Sequence, residues 1–267
     1  MADIRARFLE LHRPDPPLLL PNPWDAGSAR LLESLGFQAL ATTSSGFAAT
    51  LGRLDGRVTR DEAIEHARAV VEATGVPVSA DLENGFADDP EGVAQTIAMA
   101  VDAGLAGCSI EDATGREDDP IYSADLAAER VAAAVEAASA SGLVITARSE
   151  NYLHGRPDLA DTIARLQAFQ EAGAQVLYAP GLTGIDEIRQ VLAAVDRPVN
   201  VLALPKAPPV AELAEVGVSR VSVGGAFAFA ALGALVEAAR ELLDEGTYGF
   251  WANARTGSKA ARATFSD

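Results

Sequence analysis

The sequence predicts an α/β fold, a (β/α)8 TIM-type barrel. Three observations carry the prediction. Eight short β-type runs alternate with amphipathic helical stretches, and 267 residues suit eight such repeats with a surplus at each end. No G-x-G-x-x-G turn follows the first run, as a dinucleotide-binding doubly wound sheet would require.

The elements follow in order. A helical segment (2–12) opens the chain; it is charged throughout and lacks the apolar stretch of a signal peptide. Strands are predicted at 18–21, 39–44, 76–82, 107–112, 143–149, 174–180, 198–204 and 220–225. Between them lie stretches such as RDEAIEHARAVVEAT and PEGVAQTIAMAVDAG, with apolar residues every three or four positions, as a helix face packed on a sheet requires. Thr59 ahead of Asp61 and Glu62, and Asp89 ahead of Pro90 and Glu91, mark helix starts. Gly36, Gly75, Gly104, Gly142, Gly173 and Gly217 each close a helix before the next strand. A helical tail (247–267) follows the last barrel helix, and no linker interrupts 1–267, which reads as a single domain.

Composition bounds the partners. With 38 acidic and 21 basic side chains the net charge is −17, which argues against a nucleic-acid binder or an anionic membrane surface. The longest apolar stretch (226–236) is too short to span a bilayer and ends at Glu237. Cys108 is the single cysteine, so no intramolecular disulfide or cysteine zinc cage can form, and its place within a strand predicts a small buried hydrophobe. A soluble cytoplasmic protein is expected.

In such a barrel the active face lies at the C-terminal ends of the strands. Polar residues gather there: Asp25 after the first strand, Ser44, Ser45, Gly46 and Asp55 after the second, Asp81 and Glu83 after the third. Glu111 and Asp112 end the fourth, and Arg148 and Glu150 the fifth. Asp81, Glu83 and Glu111 are hard oxygen donors from adjacent strands, a set suited to Mg²⁺, or to Mn²⁺ in its place. Arg148 closes an otherwise apolar strand, and either pairs with Glu111 or Glu150 or grips an anionic substrate group. The Ser44-Ser45-Gly46 turn offers hydroxyls and backbone amides to a carboxylate. His12 and His66 are expected at the surface, and His154 on the active face. No GxSxG, HExxH or P-loop is present.

The segments PNPWDAGSARLLESLGF, TTSSGFAATLGRLDG, VSADLENGF, GCSIED, ITARSE and RVSVGGAFAFAAL together resemble the isocitrate lyase/phosphoenolpyruvate mutase superfamily over nearly the whole chain. The resemblance implies a Mg²⁺-dependent enzyme acting on 2-oxo acids or dicarboxylates through an enolate-like state. It implies Asp81 as principal metal ligand, with Glu83 and Glu111 acting largely through water. It further implies Ser45, Gly46 and Phe47 at the substrate carboxylate, with Ser44 beside them, Arg148 on a substrate oxygen and Asp55 beside the reacting centre. Family members commonly form homotetramers by exchanging terminal helices, so a homo-oligomer with a swapped tail is expected. The loop EDATGREDDPIYS departs from the pattern, having no Cys, His or Lys where the lyases carry a Cys and the mutases Lys and Asn. C–C bond cleavage by a lyase or decarboxylase is the leading expectation, with Asp55, Tyr122 or His154 moving protons. P–C bond chemistry and a non-catalytic 2-oxo acid-binding protein are the alternatives.

Overall fold

The computed structural model describes residues 2–265. The chain folds as the alternation predicts. Helix α1 (Ala2–Glu10) precedes strand β1 (Leu18–Leu20), which leads into α2 (Ala26–Ser34), β2 (Leu40–Ala41), the short α3 (Ser44–Thr50) and α4 (Arg60–Ala73). Then come β3 (Val78–Asp81), α5 (Pro90–Asp102), β4 (Gly107–Glu111), α6 (Ala124–Ala138), β5 (Val144–Arg148) and α7 (Leu159–Glu171). The chain continues through β6 (Val176–Tyr178), α8 (Ile185–Ala194), β7 (Val199–Leu202), α9 (Val210–Glu215) and β8 (Arg220–Ser222). It ends in α10 (Ala226–Arg240), a π-helical turn (Glu241–Glu245) and α11 (Trp251–Thr264).

The eight strands are parallel and run β1-β8-β7-β6-β5-β4-β3-β2 around the barrel. β1 pairs with β8 in register from Leu18 opposite Arg220 to Leu20 opposite Ser222. Between β1 and β2 the wall is held by Ala41 N–H donating to Pro21 O at 3.1 Å and by Asn22 Nδ2 donating to Thr42 O at 2.9 Å.

Local chemistry sets the helix boundaries. Thr59 and Glu62 form a reciprocal capping box at the start of α4, and Asp89 caps α5 ahead of Pro90. Five of the six expected closing glycines, Gly36, Gly104, Gly142, Gly173 and Gly217, adopt positive φ. Gly75 does not; α4 ends at an extended Thr74, and the Gly75 amide is taken instead by Glu33 Oε1 at 2.9 Å.

The apolar core lies between sheet and helices, with Leu40, Ile97, Ile110, Ile145, Leu166 and Leu177 almost fully buried. Cys108 packs in it as expected, and burial pushes its thiol up to about 12. Helix α1 seals the N-terminal end of the barrel. Phe8 is fully buried, and Arg5 donates to the carbonyls of Leu105 (2.9 Å), Ser141 (3.0 Å) and Val101 (3.1 Å). A Cβ on Gly107 would lie 2.7 Å from the Phe8 ring and 2.8 Å from Val144 O, so only glycine lets the plug seat.

Within one chain α11 lies against α2, Thr264 Oγ1 meeting Ser34 Oγ at 3.1 Å. Most of α10 is uncovered, with Phe229, Leu232, Leu235 and Val236 exposed. No helix among the described residues is long and apolar enough to cross a membrane.

Candidate active site

The strand ends converge on Arg148. Its Nη1 contacts Asp81 Oδ1 at 3.0 Å, its Nη2 contacts Glu111 at 3.1 Å and Glu150 at 2.8 Å, and its Nε donates to Glu150 Oε1 at 2.9 Å. Its guanidinium also lies 5.2 Å from the Tyr178 ring centre. Burial by itself would favour the neutral form, but Glu150, Glu111 and Asp81 override it and hold Arg148 charged. Of the two roles open to this arginine in the sequence, the structure displays the carboxylate pairing.

Asp81 is held on both oxygens. Oδ2 accepts from Ser44 Oγ (3.0 Å) and Ser44 N–H (3.3 Å), while Oδ1 takes Arg148 and the Glu83 amide (3.3 Å). Glu83 lies outside β3. The strand stops at Asp81, and Glu83 takes a left-handed φ of 48° in the turn that follows. Burial, then Asp81 and Asp55, push its carboxyl up to about 8. Glu111 is likewise raised by burial, against the pull of Arg148.

Two adjoining cavities open here. The inner one, of about 180 Å³, runs into the barrel and is lined by Ser44, Ser45, Asp55, Asp81 and Arg148. The outer one, of about 620 Å³, forms the mouth and brings in Glu83, Glu111, Glu150 and His154. Asp55 sits on an exposed loop with its carboxylate beside both cavities; the protein crowded around it, then Asp81, raises its carboxyl, with Ser44 opposing.

Other expected positions separate from this centre. Ser44-Ser45-Gly46 is not an open turn but the first turn of α3, capped by Thr43. The Gly46 and Phe47 amides are committed to Thr43 Oγ1 (3.3 Å) and Thr43 O (3.0 Å). The Phe47 ring stacks on His66 at 3.9 Å and lines neither of these two cavities. Asp25 caps α2 through Ser28 N–H at 2.6 Å. Asp112 faces outward to Arg165 at 3.1 Å, and the Tyr122 hydroxyl is bound to the Asp88 carboxylate beneath Arg130, lining neither cavity. His12 and His66 are buried rather than at the surface, at 7% and 9% exposure. Each satisfies a backbone carbonyl, Phe8 O at 2.9 Å and Trp24 O at 3.0 Å, which lets an imidazole sit inside as a neutral group.

Residues not singled out in the sequence complete the inner cavity: Tyr178, Asn200, Arg220 and Ser222 from β6, β7 and β8. Tyr178 and Asn200 carry a local signal, each being the polar residue of a short, otherwise apolar strand, whereas Arg220 and Ser222 flank Val221 in β8 and carry none.

The donor set bears on a metal. Five carboxyl groups, Asp55, Asp81, Glu83, Glu111 and Glu150, line the two cavities around the Arg148 guanidinium, while a second buried arginine, Arg220, lines only the inner cavity. Among the described residues no three His, Cys, Asp or Glu side chains form a ready metal cage. Mg²⁺ takes one or two carboxylates directly and keeps waters, so this acidic, open mouth fits such an ion where a closed all-protein site would not.

Comparison with known proteins places the chain in a family. Residues 8–243 match the family model described as phosphoenolpyruvate phosphomutase. A protein of Burkholderia cenocepacia J2315, provisionally assigned as a lyase/mutase, superposes with a TM-score of 0.94 at 53% identity, covering 99% of this chain and 96% of that one. The 2-methylisocitrate lyase of Escherichia coli K12 is 32% identical over 68% of this chain and 64% of its own length. The oxaloacetate decarboxylase of Pseudomonas entomophila L48 is 29% identical over 89% of this chain and 84% of its own length. The chain belongs to the phosphoenolpyruvate mutase/isocitrate lyase superfamily of lyases and mutases.

Proposed function

We propose that this protein is a Mg²⁺-dependent enzyme that cleaves a C–C bond in a small 2-oxo acid or dicarboxylate through an enolate, most simply a decarboxylation of the oxaloacetate class. One observation carries the reading. A permanently charged arginine and an excess of carboxyl groups meet at the mouth of a cavity of about 180 Å³, sized for a small acid. The similarity to an oxaloacetate decarboxylase over 89% of the chain supports the same class.

Asp81 would hold the ion directly, with Glu83 and Glu111 acting through water. When bound, the ion supplies Lewis-acid polarisation of the 2-oxo group. The chain's own residues do the rest. Ser44 and Ser45 hydroxyls line the cavity where one end of the substrate sits. Arg148, fixed by Glu111 and Glu150, directs its fork at the oxygen that gains charge. The C–C bond to the departing carboxylate breaks, CO2 leaves, and the electron pair becomes the enolate of the retained acid. A proton then restores the ketone, and Asp55, whose raised carboxyl borders both cavities, is positioned to deliver it. This chemistry needs no acid on the loop 113–123, which carries no Cys, His or Lys.

A homo-oligomer is part of the proposal. The apolar face of α10 leaves Phe229, Leu232, Leu235 and Val236 uncovered together, the kind of exposed cluster that marks a protein–protein contact. Light scattering at micromolar protein should return a mass above that of one chain.

The test is pyruvate release from oxaloacetate, malate derivatives and phosphonopyruvate, with and without Mg²⁺. Oxaloacetate turnover that depends on Mg²⁺ and is lost in Asp55→Ala supports the proposal. Turnover of phosphonopyruvate alone would move the chemistry to the P–C bond, and turnover of none would leave a 2-oxo acid-binding protein.

A further inference from the structure

The inside of a (β/α)8 barrel is ordinarily packed with layers of Val, Ile and Leu. Here the inward positions carry Ser79, Ser109, Tyr178, Asn200 and Ser222, all lining the cavity of about 180 Å³. That is several times the roughly 30 Å³ share of one liquid water. The polar lining ends in a second arginine. Strand register sets Glu111 opposite Arg148, Arg148 opposite Tyr178, Tyr178 opposite Asn200 and Asn200 opposite Arg220. Barrel strands tilt by about 36°, so such a row runs obliquely, from the mouth at Glu111 to the sealed end at Arg220, where α1 closes the barrel.

Arg220 is 4% exposed and lines the cavity. Its Nε donates to Asn200 Oδ1 at 2.9 Å, and its Nη1 reaches Thr146 Oγ1 at 3.2 Å and His12 Nε2 at 3.0 Å. Its Nη2 makes no hydrogen bond among the described residues. Arg148 and Arg165 each hold carboxylates, whereas Arg220 has none within 4.0 Å among the described residues. His12 cannot stand in for one. Its Nδ1 lies 2.9 Å from Phe8 O and so carries the proton, leaving the Nε2 lone pair to accept from Arg220 in a neutral ring. A buried guanidinium without a counter-charge is costly, and here it borders open space.

We propose that the closed end of the barrel is an anion subsite, in which Arg220, with Asn200, Ser222 and Tyr178 around it, receives a carboxylate or a small inorganic anion. The assignment rests on reading the cavity as a 2-oxo acid site. If the anion is the substrate's, it is the carboxylate kept in the product. An ion pair stabilises a carboxylate against loss as CO2, so the bond that breaks lies toward Arg148 and the mouth.

Two measurements on the full chain test this. Crystals soaked in bromide should give an anomalous peak beside Arg220 Nη2, which needs no variant. Pyruvate binding, read by calorimetry, should weaken roughly tenfold to a hundredfold in Arg220→Gln, as expected for loss of charge-assisted hydrogen bonds, and recover in part in Arg220→Lys. A bromide peak displaced by pyruvate identifies the substrate carboxylate as the occupant. A peak that persists, with pyruvate affinity unchanged in Arg220→Gln, identifies a separate inorganic anion. No peak, together with pyruvate affinity within twofold of wild type, overturns the subsite. If Arg220→Gln does not fold, the soak decides alone. Oxaloacetate turnover is scored separately, so a bromide site in an inactive protein sinks the reaction and not the subsite.

Discussion

Replacing Arg165 by methionine probes the buried charge network behind the site. Arg165 Nη1 meets Asp112 Oδ2 at 3.1 Å and Tyr122 O at 2.9 Å, and the Asp112 side chain is only 1% exposed. Asp112 Oδ1 in turn accepts the Glu150 amide at 2.8 Å, and Glu150 grips Arg148. Burial pushes the Asp112 carboxyl up to about 6, against the lowering effect of the Glu150 amide and Arg165. Without Arg165 it rises further, so the folded variant binds a proton at pH values where wild type does not. The variant's relative loss of stability therefore grows as pH rises above 6. At about 1.36 kcal/mol per unit, that part is roughly 1.4 kcal/mol at pH 7 and nothing at pH 5. Loss of the Tyr122 carbonyl bond and of packing adds about 1–2 kcal/mol at any pH. The Asp161 contact, 44% exposed on the carboxylate side, adds little. The expected total is about 3 kcal/mol at pH 7, measured by urea unfolding at pH 5, 7 and 8. Adding Asp112→Asn should abolish the pH-dependent part. An equal loss at pH 5 and pH 8, or no effect of the second substitution, would refute the reasoning.

Three further outcomes follow from the same physics. Burial holds His66 neutral and lowers its pKa to about 4 from an unfolded value near 6.5. It thus contributes stability that is complete above pH 6.5 and lost as pH falls toward 4, about 3 kcal/mol in all, and His66→Gln should flatten that limb of the stability profile. Gly107→Ala should lower stability by about 1–3 kcal/mol, seen as a fall in Tm, because the methyl group meets the Phe8 ring and the immovable Val144 carbonyl. Arg148→Lys should cut kcat/KM on the substrate found by the screen by about 100-fold with far-UV circular dichroism unchanged, since an ammonium cannot hold Asp81, Glu111 and Glu150 in one fork.

The chain's order of elements was legible from the sequence by itself. Strand and helix periodicities, the Thr59 and Asp89 caps and the closing glycines are local signals, and local chemistry obeys them. The barrel and its active face followed, because that face is a fixed property of the architecture, and Asp81, Glu111 and Arg148 lie on it as expected. Tertiary packing decided which of those polar groups meet. Asp25, Asp112 and Tyr122 look equivalent to the others along the chain. Yet one caps a helix, one turns outward to Arg165, and one is drawn beneath Arg130. His12 and His66 lie inside because Phe8 O and Trp24 O, 4 and 42 residues away, satisfy them. Arg220 stands out no better along the chain, for the same reason. Inside a strand its charge has no local meaning, and only the register across β5 to β8 brings it into the cavity that Arg148 opens. Short-range rules place elements, but the partner of a buried charge is set by distances that only the closed barrel creates.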